Sequence, residues 1–208
     1  MRLMGVFLAA AMLTTAASAA EPDAGVDMGG SIGEEGLRGF FLAVGGYYRI
    51  PQREVRIIRG RGIPPYEIPV VLFTAKRGHV PPDIIINLRL RENAWLPTAL
   101  RFGLGPKNFY VPVGVVVIDP PYGKAYGYYK HKPKKEWKTI VLGDDDIINL
   151  VNLKLMSEYY GYSPGKIIKM RSRGIEFVSI NEEIRKEKER MKRHQENKDR
   201  PKAGGPAY

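Results

Sequence analysis

Two groups of residues have the types and spacing to do chemistry, and in both cases that chemistry is the binding of negative charge. The first is the run from Tyr122 to Trp137, in which tyrosines interleave with lysines. Lys130, Lys132, Lys134 and Lys135 would supply salt-sensitive attraction to an anionic polymer, while Tyr126, Tyr128 and Tyr129 would stack on bases or sugar rings. A structural explanation competes with this: the tyrosines fasten a long loop onto a helical core and the lysines keep it hydrated. The second group is a recurrent arginine pair, Arg59/Arg61, Arg89/Arg91 and Arg171/Arg173. Arginines two residues apart point to different sides of a helix, so a pair cannot form one clamp. The first member suits the last helical turn, where it satisfies carbonyls and the negative end of the dipole. Arg61, Arg91 and Arg173 are then the members that face outward to an anionic ligand or partner.

Catalytic and cofactor chemistry finds little support. Cysteine is absent, and the three histidines, His79, His131 and His194, never stand at the i, i+4 spacing of a helical metal site. Asp144-Asp145-Asp146 lacks the alternating ligands and central glycine of a calcium loop, and three carboxylates there suit a helix N-terminus better. Gly60-Arg61-Gly62 and Gly103-Leu104-Gly105 do not sit between a strand and a helix as a nucleotide-binding turn must. No metal and no cofactor is expected.

Arg2, the apolar run Met4–Leu13 and the small residues Ala16–Ala20 read as a secretory signal peptide cleaved near Ala19 or Ala20. The run is too short for a resident span, and no later run reaches spanning length. Without cysteine there is neither a lipid anchor nor a disulfide framework. A bacterial periplasm or exterior is the expected destination. The formal net charge is +11, and Arg2 is the only charge in the first twenty residues, so the mature chain keeps about +10. Residues 121–138 carry six lysines against one glutamate, and the tail from Asn181 carries nine Lys/Arg against six Asp/Glu.

Internal repetition predicts the elements that position these groups. Tyr47-Tyr48-Arg49-Ile50-Pro51 aligns with Tyr159-Tyr160-Gly161-Tyr162-Ser163 at a shift of 112 positions, with Val55 on Ile167, Ile58 on Met170, and Gly62 on Gly174. A middle copy lies 30 positions after the first, aligning Val80-Pro81 with Ile50-Pro51, Ile85 with Val55 and Leu88 with Ile58. Each unit reads as an apolar helix, a proline-containing turn, a second helix of about ten residues, and a third helix starting near Pro65, Trp95 or Phe177. Apolar residues three apart predict a narrow buried stripe on the second helix, through Leu88 and Met170 in units two and three. Ser163 should cap and Pro164 begin the third copy's second helix.

The expected fold is mainly α: three repeated helical hairpins with a Pro/Gly/Tyr-rich insertion, a small two-stranded ribbon and a charged C-terminal helix. The predicted divisions are a signal peptide over 1–20, a flexible segment over 21–33, repeats one and two over 34–104, an irregular insertion over 105–143, repeat three over 144–180, a charged helix over 181–199, and a disordered tail over 200–208. In the insertion, which shows no helical period, Val113–Ile118 and Thr139–Leu142 would form the ribbon. The function expected is that of a non-catalytic exported interaction or scaffold protein whose partner is an envelope protein or an anionic envelope polymer. A second reading notes that Ser-Pro, a short helix, Gly and another short helix resemble the helix-turn-helix plan of nucleic-acid binders. The export signal argues against a genomic target. An enzyme with an unrecognised site of Asp, Glu, Tyr and Arg is the third.

Overall fold

The computed structural model describes residues 33–114 and 120–199. The expected signal peptide, the segment up to residue 32, residues 115–118 of the expected ribbon and the tail from Arg200 lie outside the described residues. Among those described there are nine α-helices. They are α1 (Glu34–Tyr48), α2 (Gln52–Gly60), α3 (Ile68–Gly78), α4 (Pro82–Glu92), α5 (Trp95–Leu100), α6 (Gly123–His131), α7 (Asp144–Tyr160), α8 (Pro164–Ser172) and α9 (Phe177–Asp199). None of them is long and apolar enough to cross a membrane.

The three hairpins are α1–α2, α3–α4 and α7–α8, and their reversals share one hydrogen-bonding plan. After α1, Arg49 turns left-handed (φ 58°) and the amides of Arg49 and Ile50 both donate to the Gly45 carbonyl. After α3, His79 (φ 53°) and Val80 donate to Ala75, and after α7, Gly161 (φ 64°) and Tyr162 donate to Ser157. These bonds satisfy carbonyls left free by the helix end. Pro51, Pro81 and Ser163 follow with extended backbones, and the next helix begins one residue later. Ser163 makes no side-chain cap, contrary to expectation. What the position requires is the extended conformation, which proline adopts equally well. The third helices begin at the aligned places: a 3₁₀ turn at Pro65–Glu67 leads into α3, Trp95 opens α5 and Phe177 opens α9.

The 112-residue shift carries α1 onto α7 and α3 onto α9. It also relates their packing, because α1 lies against α9 as α7 lies against α3, with α1 and α7 meeting between them. Ile147, Leu150, Leu153 and Leu155 of α7 join Phe40, Val44, Ile68 and Val70 in one buried core. Asn152, wholly buried on α7, donates its amide to the carbonyls of Tyr66 and Ile148 at 2.8 Å each and so ties the 3₁₀ turn to α7.

Several expectations are corrected. The stripe on the second helix is Val55 and Ile58 in unit one, but Ile85 with Ile86 and Ile167 with Ile168 in the others, whereas Leu88 and Met170 are only half-buried. Adjacent helical positions are about 100° apart, so both can face one apolar side of that width. The insertion is not irregular throughout, since it contains α6 and 3₁₀ helices at Pro106–Asn108 and Lys134–Thr139. No strand exists among the described residues, so the ribbon is absent there. Thr139 ends a 3₁₀ helix, and Ile140 and Leu142 are buried while Val141 is exposed. That alternation is satisfied by packing on helices rather than by a ladder. The third helix of unit three and the charged helix are one continuous element, α9.

Candidate functional site

The lysine-rich segment is held down by its aromatic residues. Tyr122, Tyr126 and Tyr129 stand at i, i+4 and i+7, and all three are buried. Tyr126 donates its hydroxyl to the Val111 carbonyl at 2.7 Å, and Tyr129 to the Pro106 carbonyl at 2.7 Å. Burial pushes both phenol pKa values well up. Trp137 donates its indole N–H to the Lys132 carbonyl at 3.0 Å. Tyr110 joins these rings, its centroid lying 5.0 Å from that of Tyr129 and 4.7 Å from that of Trp137.

This arrangement divides the predicted site residues. Tyr126 and Tyr129 are covered and cannot stack on a ligand, which corrects that expectation: their rings and hydroxyls serve the core. Tyr128 is half-buried, Lys130, Lys134 and Lys135 are exposed, and Lys132 lends its ammonium to Thr139 Oγ1 at 3.3 Å. Lys124 and Lys138 are exposed on the same segment. Among the described residues none of these lysines has an ion pair, although Glu136 stands among them in sequence.

In the arginine pairs the first member faces an aromatic ring. Arg59 lies 5.4 Å from the Phe41 centroid, Arg89 4.9 Å from Trp95 and Arg171 5.0 Å from Phe177. Arg171 also donates to the Ile175 carbonyl, Asn149 Oδ1 and Glu176. Of the second members, Arg61 is exposed yet held by Asp83 at 3.1 Å and Asn87 at 2.8 Å, linking α2 to α4. Arg91 lies 3.7 Å from Glu92, and Arg173 is exposed without a partner among the described residues. Arg89 and Arg171 are half-buried and Arg91 and Arg173 exposed, whereas Arg59 and Arg61 are both exposed and Arg61 is occupied by a contact between helices.

Arg89 belongs to a polar network that sequence reasoning missed. Its guanidinium grips Glu67 through two bonds of 2.9 and 3.2 Å and reaches Asp144 at 2.6 Å. Glu67 also accepts the Trp95 indole N–H at 3.1 Å, and Asp144 accepts the Trp95 backbone N–H at 2.7 Å. Side-chain exposures of 11% for Arg89 and 9% for Glu67 place this ion pair inside the protein. Desolvation works against the Arg89 charge, but Glu67 and Asp144 outweigh it and raise its pKa. The Asp cluster is accordingly split: Asp146 accepts the Gly143 backbone N–H at 2.9 Å in the first turn of α7, Asp144 serves the network, and Asp145 is exposed. No group of three His, Cys, Asp or Glu side chains converges as a metal site among the described residues.

Two clefts are further features of the surface. One, of about 550 Å³, has Tyr66, Ile148, Phe177 and Val178 on its walls and Arg171 at its edge. The other, of about 560 Å³, gathers Tyr47, Lys76, Arg77, His79, Lys154 and Glu158 where α1, α3 and α7 meet. Its members are split between 47–79 and 154–158, so no local motif could announce it. The fold is that of an all-α protein built from repeated hairpins. No family model, curated protein or solved structure matches the chain.

Proposed function

We propose that the chain is a non-catalytic, exported interaction protein that presents the lysine face of α6 and the following 3₁₀ helix to an anionic envelope polymer. One observation carries this reading: Lys124, Lys130, Lys134, Lys135 and Lys138 are exposed and free of ion pairs on a segment whose backbone is pinned by Tyr126, Tyr129 and Trp137. A pinned backbone holds like charges close together at little further entropic cost, which suits a polyanion with regularly spaced charges. Lysines that served only hydration would work as well if scattered. Export rests on the sequence of residues 1–20. Envelope placement is consistent with a partner that is a polymer of the cell surface.

Retention on an immobilised polyanion such as dextran sulfate tests the reading. The chain should bind at low ionic strength and elute below about 0.5 M salt, where screening shortens the reach of exposed charges to a few ångströms. Exchanging Lys130, Lys134 and Lys135 for Glu should abolish retention while leaving the melting temperature unchanged. Retention equal to that of the parent chain would refute the lysine face. Retention of an envelope protein by the variant and parent alike would move the function to another surface. N-terminal sequencing of the protein from a periplasmic fraction checks cleavage after Ala19 or Ala20.

A further inference from the structure

The cleft between α1, the end of α3 and α7 carries more positive charge than its neighbours neutralise. Three permanent cations, Lys76, Arg77 and Lys154, line it together with His79. Its one carboxylate, Glu158, is already engaged at both oxygens, accepting Lys154 Nζ at 2.6 Å and the Tyr47 hydroxyl at 2.5 Å. Lys76 and Arg77 have no ion pair among the described residues, and Arg77 instead lies 5.3 Å over the Phe73 ring. Tyr48 and Phe73 form an aromatic floor beneath these charges.

Cations in the last turn of a helix also offset the partial negative charge of its terminal carbonyls. That accounts for Lys76 and Arg77 on α3 as a local feature. It does not account for Lys154, which comes from the middle of α7 and whose side chain is only 19% exposed. Nor does it account for a cavity of about 560 Å³ left open between these groups, enough for a ligand of metabolite size. The matched position in the other half differs, because α9 runs on past the place where α3 stops and Lys188 lies 5.9 Å from the Tyr160 ring. Lys154 and Glu158 are not repeated at the matched positions, where Lys154 meets Leu42 and Glu158 meets Gly46.

We infer that this cleft binds a small ligand bearing an oxyanion, a phosphate or a carboxylate. Lys76 and Arg77 meet its charge, and Lys154 is drawn between Glu158 and the ligand. This site is independent of the lysine face of α6, and its residues contribute nothing to that face.

Isothermal titration of the full chain at low salt with inorganic pyrophosphate, and separately with citrate, tests the inference. Saturable one-site binding is expected for at least one probe; pyrophosphate alone would assign a phosphate ligand, and citrate alone a carboxylate. The double variant Lys76→Ala/Arg77→Ala should weaken binding at least tenfold, and Lys76→Gln alone should weaken it less. The Lys130, Lys134 and Lys135 to Glu variant should bind the probe as the parent chain does, even where it has lost the polyanion. Absence of binding by both probes, or binding unchanged in a folded double variant with the parent's melting temperature, would overturn the site.

Discussion

Tyr47 of α1 donates its hydroxyl to Glu158 of α7 at 2.5 Å, and the same contact recurs in reverse, with Tyr159 of α7 laid against Gly46 of α1. The 112-residue shift maps Tyr47 onto Tyr159 and Glu158 onto Gly46. A side-chain Cβ at Gly46 would stand 2.8 Å from the Tyr159 hydroxyl, so the glycine makes room that its counterpart does not need. The repeat thus keeps one steric relationship while its chemistry differs on the two sides.

Glu158 gives the first expectation. Desolvation opposes its charge, but the hydrogen bonds from Lys154 and Tyr47 prevail and hold its pKa below the ordinary 4.5. A carboxylate with a depressed folded-state pKa stabilises the protein above its unfolded pKa, and that stabilisation is lost as pH falls through the folded value. Thermal melts from pH 6 down to pH 3 should therefore show a decline below about pH 4.5 that is smaller in Tyr47→Phe/Lys154→Met. Parallel curves for parent and variant would refute the coupling.

Arg89 should be among the least replaceable residues. Arg89→Ala leaves Glu67 without its cation in the interior and removes a bond from Asp144, which is expected to cost about 3–5 kcal/mol in urea unfolding. Arg89→Lys restores charge but not the two-pronged grip on Glu67, and should recover less than half of that loss.

On the second helix of unit two, Ile85→Ala should lower stability by about 2–5 kcal/mol, since the side chain is fully buried. Leu88→Ala should cost less than about 1 kcal/mol, as expected for a half-buried residue outside the core. Equal losses at the two positions would return the stripe to the i, i+3 spacing.

Two of the reversals test the left-handed position by exchanges run in opposite directions. Gly161 adopts φ 64°, and Gly161→Ala should destabilise by about 1 kcal/mol. His79 holds the same conformation with a side chain, so His79→Gly should be neutral or stabilising by up to about 1 kcal/mol. A loss of stability in His79→Gly would mean that the imidazole is a structural contact.

The hairpins were readable in sequence because they rest on local signals: a proline or serine in the turn, an apolar helix before it, and Trp95 and Phe177 at matched offsets. Tyr122, Tyr126 and Tyr129 also had helical spacing, yet Gly123, Gly127 and Lys124 between them concealed α6. Glu67 and Asp144 were illegible as partners of Arg89, being 22 and 55 positions away from it. The cleft was illegible for the same reason, since Lys76 and Lys154 share neither a helix nor a repeat unit. The arginine pairs were half legible: helix geometry separates the two members, but only tertiary packing supplies the ring on which the first one rests.

The packing of α1 on α9 fixes an order of events in the life of the chain. Phe40 and Val44, near the start, belong to a core whose other wall includes Phe177, Ile180 and Ile184, more than 130 residues later. Closing so long a span costs chain entropy that is repaid only when both ends are present. A chain still emerging from a ribosome lacks α9, so it holds its hairpins without their seal, and the last helix to arrive is the one that completes the fold.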